Sequence, residues 1–176
     1  MRVFGFAGWS GSGKTTLIEA LVPRLIAGGL AVSLVKHAHH AFDIDQRGKD
    51  SWRHRQAGCG EVLVSSAVRW ALMHELRGAP EPSLGASLAR LSPCDLVLVE
   101  GYKTAPIPKL EVWRPSVGKP KLHPVDRNIV ALATDDPAVE APGLTIFGLD
   151  DLAAIAAFVV ERAQPAPRAA GDSAND

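Results

Sequence analysis

Gly8-Trp9-Ser10-Gly11-Ser12-Gly13-Lys14-Thr15 matches the phosphate-binding pattern G-x-x-x-x-G-K-[ST] at every fixed position. An apolar run, Val3 to Ala7, precedes it. Thr16 to Ile26 follows, with Leu17, Leu21, Val22 and Leu25 at helical spacing. The order is strand, glycine loop, helix. Glycines let the backbone turn its N–H groups inward into an anion nest, and the helix start adds unpaired donors and a positive dipole end. Lys14 is expected to reach the β- and γ-phosphates, and Thr15 to place its hydroxyl on Mg²⁺. The nucleotide-contacting set is thus Gly8, Ser10, Gly11, Ser12, Gly13, Lys14 and Thr15.

Outward from this loop, the chain alternates between strand and helix patterns. Gly28-Gly29 ends the first helix, and Pro23 inside it predicts a kink or a shift in its last turns. Ala31 to Val35 reads as a buried strand, and Lys36 to Gly48 as a functional loop. Asp50 to Ala57 reads as a short helix capped by Asp50 or Ser51. Glu61 to Ser65 and Arg69 to Leu76 read as a hairpin that adds antiparallel character to the sheet. Leu84 to Leu91 is a short helix, and Asp95 to Gly101 is the clearest core strand. Lys109 to Trp113 alternates polar and apolar residues, which predicts a strand near an edge. Ile129 to Ala133 and Thr145 to Phe147 complete the strands, and Asp150 or Asp151 should cap a last helix. Together these predict an α/β fold, three-layered around a mostly parallel central sheet, filling residues 1–163. Residues 164–176 carry no aromatic or large aliphatic anchor and are expected to be disordered.

Composition supports one globular domain of 176 residues, 47% hydrophobic and 22% charged. The formal net charge is zero, so no basic field points to nucleic acid or to an anionic membrane. No apolar stretch suits a bilayer span, and the N-terminus runs directly into a strand, so the expectation is a cytoplasmic protein without a signal peptide. Cys59 and Cys94 read as buried free thiols in a reducing compartment.

Several polar residues fall at strand ends, where ligands of open parallel sheets bind. Glu100 lies at the carboxyl end of its strand and Asp95 at the other end, roughly 16 Å away at about 3.3 Å per residue. Only Glu100 suits a Mg²⁺ ion or its bound water, and Gly101 beside it offers an N–H to the γ-phosphate. Asp43 and Asp45 alternate around Ile44, so an extended segment would point both carboxylates the same way. One of them is a candidate for a metal-bound or attacking water. His37, His39 and His40 lack the paired cysteines that would complete a zinc site. Lys36 and His37 read as strand-end groups facing a triphosphate or a partner, with Arg53 a further phosphate candidate. Asp135, after Thr134, could accept from guanine N1–H and N2–H, a donor pair adenine lacks, or serve as a cap or loop charge. The N-K-x-D signature of GTP-binding proteins is missing.

The stretch Lys36-His37-Ala38-His39-His40-Ala41-Phe42-Asp43-Ile44-Asp45, with Gly48-Lys49-Asp50-Ser51 and Arg55-x-Ala57-Gly58, is more specific. Combined with the glycine loop and Glu100-Gly101-Tyr102-Lys103, it resembles the molybdopterin-guanine dinucleotide biosynthesis protein B (MobB) family over about residues 1–162. The resemblance implies a P-loop NTPase fold and a homodimer that binds GTP and hydrolyses it weakly. It implies an adaptor role beside a MobA-type guanylyltransferase, which joins GMP to molybdopterin, and leaves direct contact with molybdopterin open. By the family pattern Gly13, Lys14, Thr15 and Thr16 hold phosphate and Mg²⁺, and Asp45 and Glu100 are the acidic partners. The competing readings are a small-molecule kinase, with Arg53, Arg55 and Lys103 clamping an acceptor, and a non-catalytic nucleotide-binding module.

Overall fold

The apolar run after Met1 forms strand β1 (Arg2–Ala7), whose residues from Val3 onward are buried. It is the middle strand of a computed structural model that describes residues 1–38 and 42–167. After β1 come α1 (Lys14–Ala27), β2 (Val32–Lys36), α2 (Asp50–Gln56), β3 (Glu61–Ser65), β4 (Trp70–His74) and α3 (Leu84–Leu88). Then follow β5 (Leu96–Glu100), β6 (Lys109–Val112), a 3₁₀ turn (Pro115–Val117), β7 (Ile129–Thr134), β8 (Thr145–Gly148), α4 (Leu152–Arg162) and β9 (Gln164–Pro165). The chain divides into two compact units, Met1–His37 with Ser83–Asp176, and Ala38–Pro82.

In the larger unit six parallel strands run in the order β2-β5-β1-β6-β7-β8. Alternation along β1 and β5 sorts their side chains to two faces. Phe4, Phe6, Leu96 and Leu98 pack with Leu17, Leu21 and Leu25 of α1 and with Ile155 and Val159 of α4. Val3, Val97 and Val99 pack with Leu84 and Leu88 of α3 and with Ile107. Helix, sheet, helix are the three expected layers. Each fully buried Leu or Phe contributes about 1.5–3 kcal/mol through removal from water. Helix α1 runs as one element through Pro23.

β6 is not the edge strand its alternation suggested. It lies between β1 and β7, and all four residues are buried. Its polar positions are inward-facing charges with dedicated partners. Lys109 Nζ donates to Asp126 Oδ2 (2.8 Å) and to the Lys103 carbonyl (2.9 Å). Glu111 accepts from the Leu122 and His123 N–H groups and contacts His123 Nδ1 at 3.0 Å. Gly5 sits opposite Lys109, and a Cβ there would lie 2.8 Å from the lysine Cγ. A small residue in the middle strand thus makes room for the buried lysine stem.

The tail also departs from expectation. Gln164–Pro165 pairs antiparallel with Arg2 and Val3, and Ala166 N donates to Met1 O at 3.3 Å. β6 pairs only with Gly5 to Ala7 of β1, and β9 takes up the backbone groups below. This anchorage uses main-chain bonds, which composition does not reveal. Residues 168–176 lie outside the described residues.

The smaller unit holds α2 and a β3–β4 hairpin that forms its own two-stranded sheet. The hairpin therefore adds no strand to the central sheet; the antiparallel contribution there comes from β9. Leu63, Trp70 and Leu72 share one hairpin face and are exposed, as are Phe42, Ile44 and Val68. Asp50 and Ser51 do not cap α2: Lys49 holds the cap position, and Ser51 Oγ instead donates to Asp45. At α4 the cap residue is Asp151, but its carboxylate accepts from Gly148 N. Cys59 is exposed and Cys94 half-buried, so neither is the buried thiol that its apolar neighbours suggested. Among the described residues no helix is long and apolar enough to cross a membrane.

Candidate functional site

The first connection from β1 crosses to β2 on one side, and the connection from β5 passes to β6 on the other. The crevice at such a reversal lies beyond the carboxyl ends of the strands. β1 delivers the glycine loop there and β5 delivers Glu100. Gly8, Gly11 and Gly13 adopt φ of 141°, 80° and 96°, conformations that side chains disfavour. A Cβ on Gly8 would collide with the Val112 carbonyl. Gly13 occupies the cap position of α1, which has no side-chain cap and no acidic residue in its first turn. Its leading N–H groups therefore have no capping side chain and no carboxylate from the helix's own first turn. Ser12 Oγ is buried and has no hydrogen-bond partner, an orphan polar atom that a bound phosphate would satisfy. Ser10, Gly11, Thr15 and Thr16 are exposed along the rim.

Lys14 Nζ donates to the Trp9 carbonyl across the loop at 2.8 Å. Burial pushes its ammonium below the usual lysine range; Glu100 opposes this, while Lys103 and Lys36 reinforce it. A triphosphate placed here would reverse that penalty. Thr15 Oγ1 donates to Glu100 Oε1 at 3.4 Å, and Lys36 Nζ lies 3.4 Å from Glu100 Oε2. A hydroxyl and a buried carboxylate on neighbouring elements form a hard oxygen pair that suits Mg²⁺. Gly101, with φ of 95°, lets β5 turn sharply, and a Cβ there would lie 2.7 Å from the His37 carbonyl. His37 N in turn donates to the Glu100 carbonyl at 2.8 Å, and its ring lies tilted against Tyr102 with centroids 5.2 Å apart.

Beyond β7 and β8, a cavity of about 740 Å³ is lined by Arg114, Asp135, Pro137, Ile146 and Phe147, among others. Asp135 stands at its polar side, 3.7 Å from Arg114 Nε. Sequence reasoning overlooked Arg114. The strand-end rule that picked out Glu100 applies to it as well, but assigning β6 to an edge hid it. The 114–124 segment is fastened to the glycine loop and to β6 and the residue after it. Trp9 Nε1 donates to Pro120 O (2.7 Å) and Trp113 Nε1 to Lys119 O (2.8 Å), while buried Glu111 holds Leu122 and His123.

Asp43 and Asp45 lie in the smaller unit and meet at Arg55. Arg55 Nη2 bonds both Asp43 oxygens at 2.7 and 2.8 Å, its Nε reaches Asp45 at 3.1 Å, and its Nη1 reaches Glu75 at 2.6 Å. Asp45 Oδ1 also accepts from Ser51 Oγ at 2.7 Å. The Arg55 hydrogen bond, followed by the Asp45 N–H, holds the Asp43 carboxyl below the usual range. Arg53 is exposed on α2. His39 and His40 lie outside the described residues, and among those described no three His, Cys, Asp or Glu side chains gather around a metal position.

A parallel sheet with a glycine nest at its switch point, a lysine across the loop and a threonine–glutamate pair beside it define the P-loop NTPase-like α/β fold. The family model described as molybdopterin guanine dinucleotide synthesis protein B matches residues 3–135, and the chain belongs to that family. It is 40% identical over 162 residues to a molybdopterin-guanine dinucleotide biosynthesis adapter protein of Escherichia coli, covering 90% of this chain and 91% of the relative. It is 45% identical over 138 residues to the protein of the same name from Haemophilus influenzae, covering 77% and 75%. A crystal structure of molybdopterin-guanine biosynthesis protein B superposes with a TM-score of 0.71 at 28% identity, covering 90% of this chain and 98% of that one.

Proposed function

We propose that this protein is a GTP-binding, weakly GTP-hydrolysing adaptor. It assists a MobA-type guanylyltransferase in converting molybdopterin cofactor to its guanine dinucleotide form. The observation that carries the nucleotide part is the loop itself, which holds an orphaned Ser12 Oγ, an uncapped helix start and Lys14. The pathway part rests on family membership and on the adapter names of the two relatives. In this reading the chain acts in the cytoplasm, with no nucleic-acid or membrane partner.

Thr15 and Glu100 would hold Mg²⁺, which when bound neutralises phosphate charge and fixes its geometry. Lys14 stabilises charge that develops on the transferred phosphoryl group, and Gly101 presents its N–H beside it. Glu100 orients water from the strand end. Asp45 shares this acidic role in the family pattern; here its carboxylate is engaged by Arg55 and Ser51. Asp135 reads the base from the cavity. Homodimerisation is supported by the exposed Leu63, Trp70 and Leu72, since an isolated hairpin is marginal in water. Of the kinase reading's three clamp candidates, Arg53, Arg55 and Lys103, Arg55 is already engaged by three carboxylates.

The deciding experiment is a reconstitution with molybdopterin, GTP, Mg²⁺ and the transferase, with this protein present, absent or changed at Lys14. Dinucleotide output should rise with the native protein and fall back with Lys14→Ala. Guanylate transfer by this protein alone, or no effect on output, would overturn the adaptor role; phosphorylation of a metabolite would favour the kinase.

A further inference from the structure

Arg114 and Asp135 are the charged pair where the cavity beyond β7 and β8 meets the phosphate loop. Each follows the carboxyl end of its strand, and Trp113 N donates to Ala133 O at 3.0 Å, fixing the two ends side by side. The Arg114 guanidinium lies against the last glycine of the loop: a Cβ on Gly13 would be 3.4 Å from its Nη2. Its Nε is buried and makes no hydrogen bond, because Asp135 Oδ2 stands at 3.7 Å, within ion-pair range but too far for a bond. The side chains are 39% and 46% exposed, so solvent screens the pair and holds it weakly.

Building on the GTP-binding reading, the geometry points to a counter-ion exchange in which nucleotide phosphate takes Arg114 and thereby releases Asp135 to read guanine. A guanidinium presents a planar fork of donors that matches phosphate bidentately, and the unused Nε is part of that fork. The carboxylate is acceptor-only, so once its cation turns to phosphate it needs donors. Guanine N1–H and N2–H supply them, and the apolar wall of Pro137, Ile146 and Phe147 receives the ring. Base selectivity is then conditional on phosphate, which is a coupling between two subsites of one ligand. The missing N-K-x-D signature fits this arrangement: an arginine on a neighbouring strand sets the state of the base-reading aspartate.

The test is an NMR titration of guanosine and of adenosine, each with and without Mg²⁺-pyrophosphate, on native protein and on Arg114→Ala and Asp135→Asn. Thermal unfolding first establishes that the variants are folded. In the native protein pyrophosphate should tighten guanosine at least threefold and leave adenosine unchanged. Arg114→Ala should bind guanosine more tightly than native without pyrophosphate and lose the linkage. Asp135→Asn should lose the guanosine preference and favour xanthosine, whose C2 carbonyl matches the amide. No linkage in the native protein, or full linkage in Arg114→Ala, overturns the exchange. GTP calorimetry on Lys14→Ala separates the two levels. Unchanged GTP affinity there removes the nucleotide-site reading and the exchange with it. Lost affinity without linkage removes only the exchange.

Discussion

Thr15 Oγ1 and Glu100 Oε1 stand 3.4 Å apart, although 85 residues separate them in the chain. The contact joins the first turn of α1 to the end of β5, and it exists because β5 lies directly beside β1. Two oxygens that close, one from a hydroxyl and one from a buried carboxylate, are the pair proposed above to hold Mg²⁺. Glu100→Gln keeps the shape and removes the charge. GTP turnover should fall at least tenfold while GTP affinity changes less than threefold, a gap of roughly 1.4 kcal/mol in the barrier. Phosphate release at the native rate would reject Glu100 as a participant.

Lys14 gives a pH dependence. Burial lowers its pKa, and only the ammonium form binds phosphate well. GTP affinity should therefore hold at neutral pH and decline as pH rises, beginning at a lower pH than an ordinary lysine would give. Binding in that range should take up a proton, because the triphosphate raises the lowered pKa again. Calorimetry in buffers of different ionisation enthalpy reads the uptake, and its absence in the alkaline range would contradict the assignment.

Gly101 is held at φ of 95° with the His37 carbonyl where a Cβ would go. Gly101→Ala should cost about 1–3 kcal/mol through backbone strain, and more if β2 and β5 are pushed apart. Urea denaturation measures it, and a neutral result would show that the strand end relaxes freely.

The buried Lys109–Asp126 pair sets a further expectation. Asp126→Ala strands a buried ammonium and should destabilise by about 3 kcal/mol or more. Burial alone would raise the Asp126 pKa, but the Lys109 hydrogen bond, the Asn128 N–H and the lysine charge outweigh it, and the value is lowered. A carboxyl lowered in the folded state stabilises fully above its unfolded pKa, and that contribution is lost as pH falls through the folded value. Acid unfolding of the native protein should therefore show a component that Asp126→Asn lacks.

The exposed hairpin face tests self-association. In the proposed homodimer, Trp70→Glu together with Leu72→Glu should shift the equilibrium toward monomer in light scattering without altering GTP binding. A mass unchanged by the pair would place the interface elsewhere.

The glycine loop and β5 were legible because each carries its own local signal: fixed spacing in one, and an uninterrupted apolar run in the other. β6 misled because Lys109 and Glu111 look like solvent-facing residues until Asp126, Leu122 and His123 are known to meet them. Those partners lie 11 to 17 residues downstream in a segment without periodicity. Arg114 was hidden by the same error, since a strand-end residue counts only if its strand is central. Asp45 was found by alternation, but its engagement by Arg55 depends on a helical residue ten positions further on. β9 was missed because main-chain pairing leaves no mark in side-chain composition.

The pairing of β9 with β1 also brings residues 1 and 166 side by side. Met1 and Ala166 are already joined by a main-chain hydrogen bond at the sheet end opposite the glycine loop. A short linker between them would span almost no distance. The polypeptide could then be reopened at Gly143, an exposed turn glycine with no atom within 4 Å of its Cβ position. In such a permutant β8, α4 and β9 would leave the ribosome first and wait as a ready edge for β1.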